Sequence, residues 1–235
     1  EVTSKALFNF KDGVQVLVNK LKEVLGDSIV YNSKIASIDH QSSMLLCVDG
    51  SSYSYDTLIS TIPAYKLSAF VSKEIATDLN SINYSPIGIL NIKFDKRQLN
   101  FDGFGFLVPS REKSVVLGMV ANSNTFPIHG SEIYHVNTVM LGGARYTYNQ
   151  LITMDLKQES LAFLEKVFGL SLKIEKQELR VLEHAIPQYE IGHLEKVQRI
   201  SKASPSNLKV LGNFMYGVSI IDIITASKNY SKSIN

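Results

Sequence analysis

Residues 208–227 read LKVLGNFMYGVSIIDIITAS. The stretch opens as a short apolar strand (Leu208, Val210, Leu211), breaks at Gly212, loops as far as Gly217, and resumes as an apolar helix carrying one acid, Asp222. A strand, a glycine turn and a helix start, in that order, bring unpaired backbone N–H groups and the positive end of a helix dipole to one place. Such a place suits an electron-rich ligand. The same corner is routine in α/β folds, where its glycines only relieve crowding, so the rest of the chain has to decide between the two readings.

At 235 residues the chain is long enough for one large core or two small ones. Hydrophobic residues make up 45% and charged residues 20%, with six prolines, a composition of folded rather than disordered chains. The net charge of +2, from 24 basic and 22 acidic residues with no long basic run, argues against a nucleic-acid partner. The single cysteine, Cys47, can close no internal disulfide and sits in the apolar run 44–48, where it reads as a core residue in a reducing or cofactor-dependent setting. The five histidines (His40, His129, His135, His184, His193) show no ligand spacing, so no metal centre is expected. There is no G-x-S-x-G, Walker lysine or G-x-G-x-x-G, and no residue that has to be a general base, so no catalytic residue is assigned. The most apolar window, 210–226, is interrupted by Asn213 and Asp222 and reads as a buried helix rather than a membrane anchor. The chain begins at Glu1 without a methionine and enters structured sequence at once, which reads as a piece of a longer protein.

In order, residues 8–25 predict a short extended piece and then a helix with Val14, Leu17, Val18, Leu21 and Leu25 on one face, closed by Gly26. Three short strands are expected at 29–31, 34–39 and 44–48, and Asp49-Gly50 is a hairpin signal leading to 52–55. A buried strand follows in YDTLISTIPA, 55–64, ended by Pro63. After a helical stretch to residue 79, strands at 85–94, 103–108, 114–122 and 133–143 form an antiparallel platform with one wetter face. A helix at 154–168, a strand at 173–186 and a surface helix at 191–200 lead back to the opening stretch.

Taken in order, these blocks resemble one family. FNFKDGVQVLVNKL (8–21), the DG hairpin and YDTLISTIPA resemble flavin amine oxidase-like enzymes. More specifically, FDGFGFLVPSREKSVVLGMVANSNTFP (101–127), TVMLGG (138–143), AIPQYEIGHLEKV (185–197) and LGNFMYGVSIID (211–222) look like the oxygen-dependent protoporphyrinogen oxidases, C-terminal half only. The resemblance implies an α/β (α+β) fold in which discontinuous FAD-binding segments, 1–64 and 184–235, flank an antiparallel-sheet substrate domain, 65–183. It implies FAD-dependent oxidation of protoporphyrinogen IX to protoporphyrin IX with molecular oxygen as acceptor, at the mitochondrial inner membrane. The membrane surface would be met through a domain not carried here, and a homodimer stays open. Without the N-terminal dinucleotide motif, the chain alone is expected to hold FAD weakly and to show no oxidase activity.

By the same resemblance Ile35 falls against the adenosine end of FAD, and Asn213, Val218, Ser219 and Ile220 fall on the motif that meets the flavin. Phe104, Leu107 and Met140 fall on the apolar walls around the tetrapyrrole, while Lys93 and Arg145 are weighed as propionate partners against a solvated face. The sequence departs from the family after Asp222, where Thr225 and Ser227 replace the more usual acidic and glycine positions. Two alternatives remain beside this reading. One is another flavin enzyme, an amine oxidase or carotenoid desaturase, since Phe214 and Tyr216 can imitate an amine oxidase's aromatic pair. The other is a non-catalytic truncated scaffold.

Overall fold

Strand β1 (Ile35–Asp39), strand β2 (Met44–Cys47) and strand β3 (Ser52–Ser54) pair antiparallel in that order, as the two turns between them dictate. In the first turn the Asp39 carboxylate accepts the N–H groups of Gln41 and Ser42 at 2.9 and 3.2 Å. In the second, Gly50 takes φ 86°, which the expected DG hairpin requires, and Cys47 is sealed in the interior. Strand β4 (Leu58–Ser60) follows. The computed structural model describes residues 10–233, so the extended piece expected from residue 8 begins outside the described residues.

The chain packs as two compact units. Of the described residues, one contains 10–31 together with Pro86–Glu183, and the other contains Asn32–Ser85 and 184–233. The first is built on a five-stranded sheet. Its strands are β5 (Tyr84–Asp95), β6 (Gly105–Leu107), β7 (Val116–Val120), β8 (Tyr134–Gly142) and β9 (Ile174–Pro187), in spatial order β6-β7-β8-β5-β9. The β5–β8 ladder runs antiparallel from Ile87 opposite Gly142 to Asp95 opposite Tyr134. Because side chains alternate across a strand, Leu90, Ile92 and Phe94 share one face with Val139 and Leu141. That face is covered by the helices Tyr148–Thr153 and Leu156–Phe168, which insert Leu151, Leu156 and Leu164. The longer helix starts where Asp155 accepts the Gln158 N–H at 3.1 Å and stops at Gly169, φ 68°. Burying each such leucine contributes about 1.5–3 kcal/mol. One sheet face is thereby spent on the core.

In the second unit, strand β10 (Leu208–Val210) pairs parallel with β4, Leu208 opposite Leu58 and Val210 opposite Ser60. Two segments far apart in sequence thus form one ladder, and Asn207 secures it by donating to the His40 carbonyl and the Ser43 hydroxyl, both at 2.9 Å. Behind the ladder lies a core of Leu67, Ile75, Leu79, Ile200, Leu208 and Phe214. The helices Lys73–Asn80 and His193–Ala203 contribute to it and are joined at the surface by Arg199 and Asp78 at 2.6 Å.

Three expectations are corrected. Residues 29–31 form no strand: a single 3-10 turn, Gly26–Ser28, precedes them and Asn32 turns the chain at φ 60°, which breaks the extended run on both sides. Between residues 55 and 64 only Leu58–Ser60 is strand, and Ile59 is exposed. The apolar helix of the opening stretch, Ile220–Ser233, buries none of its residues, and neither does the helix Gln15–Leu25. Periodicity marks which side of a helix is apolar, but burial needs a second surface, and none of the described residues supplies it. Nor is any described helix long and apolar enough to cross a membrane.

Candidate functional site

The corner after β10 is built by two glycines and one reciprocal cap. Leu211 N–H donates to the Ser60 carbonyl at 2.8 Å, which ends the ladder, and a single helical turn, Asn213–Tyr216, follows Gly212. Gly217 stands at φ 115°, and a Cβ there would lie 2.5 Å from an Asp222 carboxylate oxygen, so both backbone shape and space demand glycine. The helix beginning at Ile220 is capped by exchange: Ser219 Oγ accepts from Asp222 N–H at 3.1 Å, and the Asp222 carboxylate accepts from Ser219 N–H at 3.2 Å. The corner therefore offers fewer donors than a bare helix start. Among the described residues, the N–H groups of Val218, Ile220 and Ile221 meet no protein acceptor. Their side chains are exposed beside them.

Two residues that sequence reasoning passed over hold this loop in shape. Tyr189 donates its hydroxyl to the Asn213 carbonyl at 2.6 Å and accepts the Gly217 N–H on the same oxygen at 2.7 Å. Partial burial raises the Tyr189 hydroxyl above its ordinary value and the Asp222 carboxylate adds to this, while the Gly217 hydrogen bond opposes both. The hydroxyl thus keeps the proton it donates. His193, 4% exposed, stacks on the Tyr189 ring with centroids 4.0 Å apart, and its Nε2 lies 2.8 Å from the Phe214 carbonyl. A carbonyl only accepts, which puts the imidazole proton on Nε2. Three backbone groups of one six-residue loop are thus satisfied from the segment QYEIGH. The signal that could have found them is the Tyr189/His193 spacing of four beside a glycine, in a block already singled out.

Of the residues assigned to the flavin, Asn213, Val218, Ser219 and Ile220 come together at this corner by chain continuity. Ile35 lies in the same unit on β1, its backbone opposite Cys47, and has no hydrogen bond or ring contact to the corner.

The three residues assigned to the tetrapyrrole lie in the other unit, on the sheet face that the helices leave open. Strand register sets Leu107 opposite Gly118 and Gly118 opposite Met140, a row across β6, β7 and β8 whose middle position carries no side chain. A Cβ on Gly118 would fall 2.4 Å from the Phe106 carbonyl oxygen, so the close approach of β6 requires glycine. The outcome is an apolar groove of about 440 Å³ lined by Phe104, Leu107, Leu117, Val120 and Met140. Leu107 is 88% exposed and Met140 42%, unusual for large apolar side chains that have a core available on the opposite face. Arg145 is not free to serve this face: its guanidinium donates to the Ser110 and Ser114 carbonyls, both at 3.2 Å, and ties the β6–β7 loop. Lys93 sits with its ammonium 3.9 Å from the Tyr134 ring centre.

Known proteins resemble this chain over nearly its whole length. The family described as "Flavin containing amine oxidoreductase" matches residues 2–191. The protoporphyrinogen oxidase of Dictyostelium discoideum is 29% identical over 97% of this chain and 51% of its own length. The Homo sapiens protoporphyrinogen oxidase is 28% identical, with the same two shares. A crystal structure of an Exiguobacterium sp. 255-15 protein superposes with a TM-score of 0.85 at 21% identity, covering 96% of this chain and 51% of that one. A putrescine oxidase structure does so with a TM-score of 0.71 at 9% identity, covering 95% and 52%. These two likenesses show the fold. The chain spans about half the length of the relatives it matches. With the profile matched over well more than half of its residues, and the mixed helix-and-sheet fold shared, the chain belongs to the flavin containing amine oxidoreductase family.

Proposed function

We propose that this chain is part of an FAD-dependent oxidase that converts protoporphyrinogen IX to protoporphyrin IX with molecular oxygen as acceptor. One observation carries the reading: Phe104, Leu107 and Met140, three residues scattered over 37 positions of sequence, line one exposed apolar groove. A flat, largely apolar macrocycle needs a broad apolar wall and few polar groups, and this groove has that character. The residues present also fit one end of a flavin. Gly217 leaves no side chain in the way, and the three unpartnered N–H groups of Val218, Ile220 and Ile221 suit its carbonyl and ring-nitrogen edge.

In this reading Asn213, Val218, Ser219 and Ile220 hold the flavin edge, and Ile35 packs near the adenosine end. Bound FAD would supply the two-electron oxidising chemistry. The groove residues orient the macrocycle and keep water from it. The segments 1–64 and 184–235 would then belong to the flavin domain and 65–183 to the substrate domain. Placement at the mitochondrial inner membrane, a membrane-facing surface and a homodimer belong to the same proposal. Some matched relatives are named mitochondrial and others chloroplastic.

The amine oxidase alternative is weakened by one fact. Phe214 is fully buried in the core, whereas Tyr216 is about half exposed, so the two aromatics do not form a pair. The test is an aerobic assay of the longer protein of which this chain would be part, with FAD added and protoporphyrinogen IX as substrate. Growth of porphyrin fluorescence above the spontaneous rate is expected. Oxidation of amines without porphyrin formation would overturn the reading.

A further inference from the structure

The open face of the five-stranded sheet changes character within one step along its strands. Val120 and Met140 belong to the apolar groove, and Val120 is directly opposite Thr138 in the ladder, which in turn is opposite Asn91. Here the face becomes polar in an oriented way. Asn122 Nδ2 donates to Thr138 Oγ1 at 2.6 Å, and that hydroxyl passes its own proton to Asn91 Oδ1 at 2.7 Å. A hydroxyl has one proton to give, so this relay spends the Asn91 oxygen and leaves its two Nδ2 hydrogens pointing away from the ladder. Asn91 is exposed, and those hydrogens meet no acceptor among the described residues. Lys93 occupies the next position on the same face, with no carboxylate partner among the described residues. The nearest acid along the strand, Asp95, is already engaged by Arg97.

We infer that Asn91, with Lys93 beyond it, is the carboxylate-recognising edge of the groove. It takes the acidic arm of a ligand whose flat apolar body lies over Leu107 and Met140. The inference rests on the reading of the groove as a tetrapyrrole site and deepens it: apolar wall and donor edge together select a ring that carries carboxylates over a neutral one. Protoporphyrinogen IX and protoporphyrin IX both have that form, with two propionate arms.

The test is fluorescence titration of the 235-residue chain with protoporphyrin IX and, separately, with its dimethyl ester. Both titrations are repeated on Asn91→Asp, at an exposed position, and on Lys93→Met, at a half-buried one, with folding of each variant checked by thermal melting. The unaltered chain is expected to bind the diacid about tenfold more tightly than the diester, the scale of one hydrogen bond to a charged group. Asn91→Asp should abolish that preference. Equal affinity of the unaltered chain for diacid and diester would overturn the carboxylate edge while the groove reading stands. A preference that survives both substitutions would overturn its assignment to Asn91 and Lys93. If neither porphyrin binds, the groove reading fails and the inference fails with it.

Discussion

The Tyr189 hydroxyl donates to the Asn213 carbonyl at 2.6 Å, and the same oxygen receives the Gly217 N–H, so one side chain closes both ends of the glycine-flanked turn. Tyr189→Phe keeps the ring stacked on His193 and removes only this bridge. Because Tyr189 is partly exposed, water can replace the lost partner, and a destabilisation of about 1 kcal/mol is expected. The sharper readout is amide hydrogen exchange. Gly217 should exchange faster in the variant, while the core amides of Leu208 and Val210 in β10 stay protected.

Gly217 and Asp222 are in contact through space that a methyl group would need. Gly217→Ala should destabilise the chain by about 2 kcal/mol or more, from strain at positive φ together with the clash against the carboxylate. Asp222→Ala alone should lose about 1 kcal/mol with the cap. The double variant should fall short of the sum, because removing the carboxylate relieves half of the first problem. Chemical denaturation of the four proteins measures this coupling, and strict additivity would contradict it.

The two faces of the five-stranded sheet should respond oppositely to truncation. Leu164→Ala empties a sealed position between helix and sheet and should lower stability by about 2–5 kcal/mol. Leu107→Ala removes a side chain that touches little and should change stability by less than about 0.5 kcal/mol. Porphyrin affinity should show the reverse order, falling for Leu107→Ala. Thermal melting and fluorescence titration of both variants check the contrast.

Arg97 holds the Asp95 carboxyl down at about 2, from an ordinary 3.8, chiefly by side-chain hydrogen bonds and then by its backbone N–H. A carboxylate held low when folded adds stability that is fully present above about 3.8 and is lost as pH falls through about 2. The Asp95 carboxyl resonance should therefore titrate near 2, and in Arg97→Ala it should move up towards 3.8. An unchanged midpoint would show that the guanidinium is not the cause. Because the Arg97 side of the pair is exposed, added salt should weaken the effect.

What could be read from the chain alone was local or periodic. The DG hairpin after Cys47, the alternation through 85–94, the helix ending at Phe168 and the glycine-broken corner at 208–227 each depend on backbone preferences carried by a few adjacent residues, and each appears where expected. The family was legible too, because four blocks in a fixed order carry more information than any one of them. Burial was not legible, since Ile220, Ile221 and Ile224 have the spacing of a buried face and yet lie exposed, for want of a partner surface among the described residues. Nor were the contacts that run between distant positions: Asn91 with Thr138, Tyr189 with Gly217, and the row of Leu107, Gly118 and Met140. Those depend on strand register and on the direction of individual hydrogen bonds, which no short window of sequence contains, so the tertiary structure alone decided them.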